Sequence, residues 1–228
     1  MKINPPARGF GRIGETAKLG SKNLGHIKPD PSHLEALEGI TFLTDRDGVI
    51  TAIGARNWDA FCNTNGAPDL TANTVIGRSL FDYISGKPVR ALFRQALDKL
   101  AKAPDASWIM PFRCDAPGRQ RNMRQSVTPI FRDGRCTGFF FQSIELTARE
   151  RPPIELFDFK EMARKAANSP DQPLIKMCSW CQKVRFQPVT GSDWVEAEDY
   201  YAAGGPSNVR ITHGICEPCA ETAGSSKI

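Results

Sequence analysis

Apolar and polar positions change period along the chain, and the changes mark its elements. Ile40-Thr41-Phe42-Leu43 and Val49-Ile50-Thr51-Ala52-Ile53 are short β-branched runs around Asp47-Gly48, which predicts a hairpin closed by a type I′ turn. Asn57 to Asn65 suits a short helix with Trp58, Phe61 and Cys62 on one face, and residues 68–84 read as irregular. From Lys87 to Lys102 the apolar residues Val89, Leu92, Phe93, Ala96, Leu97 and Leu100 recur at helical spacing. Arg90, Arg94, Asp98, Lys99 and Lys102 take the other face. The period then shortens to two. Trp108, Met110, Phe112 and Cys114 form one alternating set, and Met123, Val127, Pro129 and Phe131 form a second. Asp133-Gly134 is a tight-turn signal, and residues 138–146 give a last strand. This order predicts an α+β domain over residues 34–148, with one antiparallel sheet of five strands and helices on one face.

The flanks lack such patterns. Residues 1–33 hold scattered Gly and Pro and read as a flexible leader. Their Gly9-Phe10-Gly11-Arg12-Ile13-Gly14 matches a dinucleotide-binding spacing but follows Pro5-Pro6 rather than a buried strand, so that chemistry is set aside. Residues 149–173, with Pro152, Pro153, Pro170 and Pro173, read as a linker carrying one short helix around Leu156–Ala163. That linker is expected to keep two cores apart, with limited contact between them.

Composition narrows the class. The chain has 228 residues, 40% hydrophobic and 24% charged, which fits one or two ordinary globular domains. No run of 18 apolar residues predicts a membrane span, and the start lacks the apolar segment of a secretory signal, so a cytoplasmic protein is expected. The net charge of +5 is uneven. Lys+Arg minus Asp+Glu is 6 − 2 = +4 over residues 1–33, 14 − 12 = +2 over 34–148 and 10 − 11 = −1 over 149–228. A basic excess concentrated in the leader argues against nucleic acid as the partner. Arg113, Asp115, Arg119, Arg121 and Arg124 form a polar group on adjacent strands, read as a solvated sheet face with cross-strand ion pairs.

Seven cysteines without an export signal do not make a disulfide framework. Four of them form two C-x-x-C pairs, Cys178/Cys181 and Cys216/Cys219, separated by 34 residues. Two such pairs can complete a tetrahedron of thiolates around Zn²⁺, whose filled d shell imposes no other geometry. Residues 174–224 are therefore expected to be a small four-cysteine zinc module, folded largely by its metal. Neighbouring sulfurs should then stand roughly 3.7 Å apart, against about 2.05 Å in a disulfide. Gly214 is expected to let the chain turn before the second pair. His213 has three candidate roles: ligand in place of a cysteine, hydrogen-bond donor beside the cluster, or turn cap. The second and third are favoured. Cys62, Cys114 and Cys136 read as small buried apolar residues.

Some of the wording is more specific. Trp58-Asp59-Ala60-Phe61, Asn65-Gly66-Ala67-Pro68-Asp69-Leu70, Gly77-Arg78-Ser79-Leu80-Phe81-Asp82-Tyr83-Ile84 and Phe112-Arg113-Cys114-Asp115-Ala116-Pro117, with Thr212-His213-Gly214-Ile215-Cys216-Glu217-Pro218-Cys219, resemble small stand-alone bacterial PAS proteins ending in a cysteine cluster of zinc-ribbon or treble-clef type. The resemblance covers roughly residues 34–224. It implies a signalling or sensor role, a PAS domain that binds a small ligand or a protein partner, and homodimerisation through that domain. Trp58, Phe61, Leu80, Phe81 and Tyr83 are candidate lining residues for a PAS pocket. The histidines are His26, His33 and His213, so a histidine-ligated haem inside residues 34–148 is disfavoured. No catalytic constellation is visible and no enzyme is expected. Two alternatives stay open: a zinc-dependent nucleic-acid or transcription-associated protein, and a C-x-x-C thiol oxidoreductase.

Overall fold

A computed structural model of the chain describes residues 31–168, 171–186 and 193–225. Most of the expected leader, with its glycine pattern, lies outside the described residues. Residues 31–33 open a short helix, α1 (Pro31–Glu35). The order continues β1 (Ile40–Asp45), β2 (Ile50–Ile53), α2 (Ala55–Thr64), α3 (Ala72–Val75), α4 (Lys87–Leu100), β3 (Trp108–Arg113), β4 (Arg119–Arg132) and β5 (Arg135–Glu150). The five strands form one antiparallel sheet in the order β2-β1-β5-β4-β3.

The two Asp-Gly turns differ. Asp133 and Gly134 both take positive φ (49° and 74°), and Arg132 pairs with Arg135, as a two-residue type I′ loop requires. At Asp47-Gly48 only Gly48 is left-handed (φ 85°), so the expected type I′ turn is not formed. The reason is Asp45: its carboxylate accepts the N–H groups of Asp47 (3.0 Å) and Val49 (2.8 Å), which holds the loop in a wider turn.

The amphipathic stripe of α4 packs on the sheet. Val89, Phe93, Ala96, Leu97 and Leu100 are buried in one cluster with Trp108, Val127, Phe139 and Phe141. Phe93 meets the Trp108 ring edge-on (5.0 Å), and Phe42 stacks on Phe141 (4.5 Å). The stretch read as irregular contains α3 and a 3₁₀ turn at Leu80–Asp82.

A 3₁₀ turn at Glu155–Phe157 and α5 (Phe159–Asn168) lead to a second sheet, which comprises β6 (Leu174–Cys178), β7 (Val184–Arg185), β8 (Trp194–Val195) and β9 (Arg210–Gly214). Its order is β8-β7-β6-β9, with β6 and β9 parallel. Two further helices are α6 (Ala197–Ala202) and α7 (Glu217–Ser225). Ile154, Leu156, Phe157 and Met162 are buried with Met177, Val184, Val195, Tyr200 and Val209, so the expected linker supplies part of a second core.

The limited contact expected between the two regions is not what the structure has. Cys178, Trp180, Trp194 and Cys216 belong to the same buried cluster as Trp108 and Phe93, and residues 31–228 form one compact unit. Large apolar side chains beside the cysteines are shielded most fully by the face of the larger sheet domain. Among the described residues, no helix is long and apolar enough to cross a membrane.

Candidate metal centre

Each cysteine pair is placed by a short strand that ends in a turn. β6 runs into Cys178, and the chain then reverses through a knuckle. The Gln182 N–H donates to the Cys178 carbonyl (3.0 Å), and the Cys178 N–H donates to the Lys183 carbonyl (2.8 Å). Gln182 takes a left-handed φ of 57° to complete the reversal. β9, parallel to β6, ends at Gly214. That residue is not left-handed, and its carbonyl accepts the Ser179 N–H (2.8 Å) and pins one cysteine segment to the other. Cys216 precedes α7, and Cys219 lies in the helix's first turn, where the Ala220 N–H closes on the Cys216 carbonyl (2.9 Å).

The four sulfurs converge. Cys178, Cys181, Cys216 and Cys219 place their Sγ atoms within 4.8 Å of one another, with Cys181 and Cys216 at 3.6 Å. The Cys216 N–H points at the Cys178 sulfur (3.4 Å). All seven cysteines are free thiols, and Cys62, Cys114 and Cys136 lie outside the group. His213 is also outside it. Its ring is half-buried in β9, and burial lowers its pKa.

Charge is unevenly shared among the sulfurs. Hydrogen bonds from Cys181 and Cys219 hold the Cys178 thiol well below its ordinary range. The bond to Cys178 pushes Cys181 up to about 12, and contact with Cys178 and Cys181 raises Cys219 as well. Hydrogen bonding within the group thus favours the ionised form of Cys178 and the protonated forms of Cys181 and Cys219. A divalent cation at its centre would reverse that balance and hold all four as thiolates. Four sulfur donors within 4.8 Å of one another, two of them buried, are the donor set a tetrahedral zinc ion takes.

The knuckle is fastened to the larger sheet. The Arg113 N–H at the end of β3 donates to the Trp180 carbonyl (2.6 Å), and the Asp115 N–H donates to Gln182 Oε1 (2.8 Å). The Trp180 ring sits 6.3 Å from that of Trp108. Beside these bonds lies an ion network that sequence reasoning took for a solvated face. Arg113, Asp115 and Arg121 are buried, whereas Arg119 is half-exposed and Arg124 exposed. The Asp115 carboxylate, fully buried, is paired with Arg113 and with Arg151 (3.0 Å), and it accepts the Arg121 N–H (3.1 Å). Arg113 reaches on to Glu196, and Arg151 reaches Glu198 (3.1 Å), both beside or within α6. Burial opposes the Arg113 charge, but bonds from Asp115 and Glu196 outweigh it and raise its pKa. The available signal was Glu196-Ala197-Glu198: two carboxylates far along the chain, able to face the arginine-rich strand pair.

The five candidate pocket residues are dispersed. Leu80 is buried in the larger core, and Phe81 lies at its edge beneath the Arg94 guanidinium (4.4 Å). Trp58 meets Phe42 edge-on and donates its Nε1–H to the Leu70 carbonyl (2.7 Å). Phe61 carries Arg121 above its ring (5.7 Å). Of the five, Tyr83 alone borders a cavity of about 350 Å³ that lies against the knuckle.

Comparison with known proteins agrees with this fold. The model of a family described as the PAS fold matches residues 34–151. No curated protein matches the chain. Among solved structures, the PAS domain of Bordetella pertussis BvgS is similar at 17% identity and a TM-score of 0.41, covering 62% of this chain and 93% of that one. The Vibrio cholera VqmA–ligand–DNA complex is similar at 21% identity and a TM-score of 0.40, covering 51% of this chain and 50% of that one. The PAS domain of an HTR-like protein from Haloarcula marismortui is similar at 17% identity and a TM-score of 0.35, covering 51% and 88%. The chain thus spans about half the length of VqmA.

Proposed function

The chain belongs to the PAS-fold family, and from that premise we propose that it is a signalling protein whose PAS domain receives a small ligand or a protein partner and whose four cysteines hold one structural zinc ion. The observation that carries the zinc assignment is the mutual approach of the four Sγ atoms within 4.8 Å. Four thiolates leave zinc no open position, so the ion would fix the fold and the protein would act by binding, without catalysis of its own. The knuckle bonds from Arg113 and Asp115 make the metal site part of the PAS surface, so a partner that reads the cysteine module also reads the state of the sheet. A protein is the favoured partner over nucleic acid, because residues 149–228 carry 10 − 11 = −1 net charge and offer no basic excess. The PAS domain is the proposed surface for homodimerisation.

The test is native mass spectrometry of the full chain purified from cells. One zinc ion per chain is expected, with loss of that ion in Cys219→Ser. A chain free of metal and carrying intramolecular disulfides would overturn the zinc assignment in favour of thiol redox chemistry. Salt-dependent binding to duplex DNA would overturn the choice of partner.

A further inference from the structure

The PAS domain and the cysteine module together line a half-open cavity to which both contribute walls. One wall comes from α4 and β3, with Phe93 and Met110; the other comes from the knuckle and β9, with Ser179, Trp180 and His213. Its volume of about 350 Å³ is at the lower end of the ~300–1,000 Å³ usual for small-molecule sites. No carboxylate, ammonium or guanidinium group lines it. Two polar groups in its wall are left over. The Ser179 hydroxyl oxygen is buried without a hydrogen-bond partner, and the His213 ring makes no hydrogen bond among the described residues. Buried polar groups are ordinarily paired, so Ser179 calls for a partner that the chain does not supply.

We propose that this cavity binds a small aromatic molecule without negative charge that carries one hydrogen-bonding group, held between the Phe93 and Trp180 rings and hydrogen-bonded to Ser179 or His213. The class follows from the wall. Aromatic rings favour an aromatic guest through offset or edge-on contact. An anionic guest would lose its hydration with no positive group to meet it. Cys178, a proposed zinc ligand, also lines the cavity, and four thiolates around a divalent cation carry a net −2 that would repel an anion further. The proposal rests on the PAS reading for its signalling role, and it does not require zinc.

The test uses the full chain labelled with ¹³C at methionine methyl groups, with 5-fluoroindole as the probe. Met110 and Met177 line the cavity, whereas Met123 and Met162 do not. Millimolar 5-fluoroindole should broaden its own ¹⁹F signal and shift the Met110 and Met177 methyls, leaving Met123 and Met162 in place. Ser85 is an exposed residue on the rim, and Ser85→Trp should fill the mouth and weaken binding about tenfold or more, with the other methyl signals unchanged. The anion 5-fluoroindole-3-carboxylate should bind at least about tenfold more weakly than 5-fluoroindole. Unmoved Met110 and Met177 signals would overturn the site. Unchanged affinity in Ser85→Trp would do the same, and tighter binding of the anionic analogue would overturn the ligand class. Zinc measured in the same sample separates the two readings: methyl shifts in a chain without zinc would sustain the cavity while sinking the metal assignment.

Discussion

The two sheets of this molecule are held in different ways. β4 and β5 run for 14 and 16 residues and pair along most of that length, so the larger sheet is specified by its own ladder and by aromatic packing beneath it. β7 and β8 have two residues each, and β6 and β9 have five. Strands this short provide few ladder bonds against the entropy of ordering their chain. What fixes the smaller sheet is convergence: four sulfurs at one end, the second hydrophobic core in the middle, and the Asp115 ion network along the seam. The lesson is that the regions differ in autonomy. The larger sheet contains most of its own support, while the smaller one borrows support from its neighbour and from the proposed metal.

The largest expected effect comes from removing the proposed metal. Structural zinc contributes about 10–16 kcal/mol of apparent folding free energy in small modules at neutral pH. Chelation should therefore release the segment from β6 to α7. Because Cys178, Trp180 and Cys216 lie in the same core as Trp108, it should also loosen the sheet beneath them. Limited proteolysis with mass analysis is the measurement, and cuts on both sides of residue 173 are the expected pattern. Cuts confined to residues beyond 173 would show two independent cores and break the seam argument.

Next in size is Asp115→Ala. The substitution strands Arg113 and Arg151, whose side chains are only 9% and 3% exposed, beside no carboxylate except Glu196 and Glu198 on the module side. Breaking a buried pair in this way costs about 3–5 kcal/mol, since the partner charge is left desolvated. Chemical denaturation should report that loss as a shift in midpoint. A loss below about 1 kcal/mol would mean that water enters the seam and that the ion network does not bind the regions together.

How much of this was legible in the sequence follows from the same contrast. The α4 stripe, the alternating strands and the turn signal at Asp133-Gly134 are local patterns, and they placed the five-stranded sheet with α2 and α4. The two C-x-x-C spacings brought four sulfurs together for the same reason: the chemistry of a tetrahedral site acts at fixed short spacing. The ion network was not legible, because Arg113 alternates with apolar neighbours as a solvent-facing residue would, and its partner Glu196 lies 83 positions away. The composite cavity was not legible either. Phe93 and Met110 read as core of one region and Trp180 as part of another, and nothing local says that the regions meet. The wide turn at Gly48 was missed on a smaller scale, since the Asp45 carboxylate competed with the Asp-Gly signal.

The smallest expected effect isolates burial as the cause. Arg46 and Asp98 form an ion pair at 3.1 Å, a length close to that of the Arg151–Asp115 pair at 3.0 Å. The chemistry is the same and the setting is opposite, with side-chain exposures of 43% and 62% for Arg46 and Asp98. In water the attraction is screened, and holding two long side chains in one geometry costs rotamer freedom. Asp98 also lies on the outer face of α4, so its removal leaves no buried charge behind. Asp98→Ala should therefore change stability by no more than about 0.5 kcal/mol, within the range of exposed pairs. Measured beside Asp115→Ala under the same conditions, it turns two nearly equal distances into two very different energies. If the two variants lose similar stability, burial is not what makes the seam strong, and the smaller sheet would have to be held by its sulfurs and its own core alone.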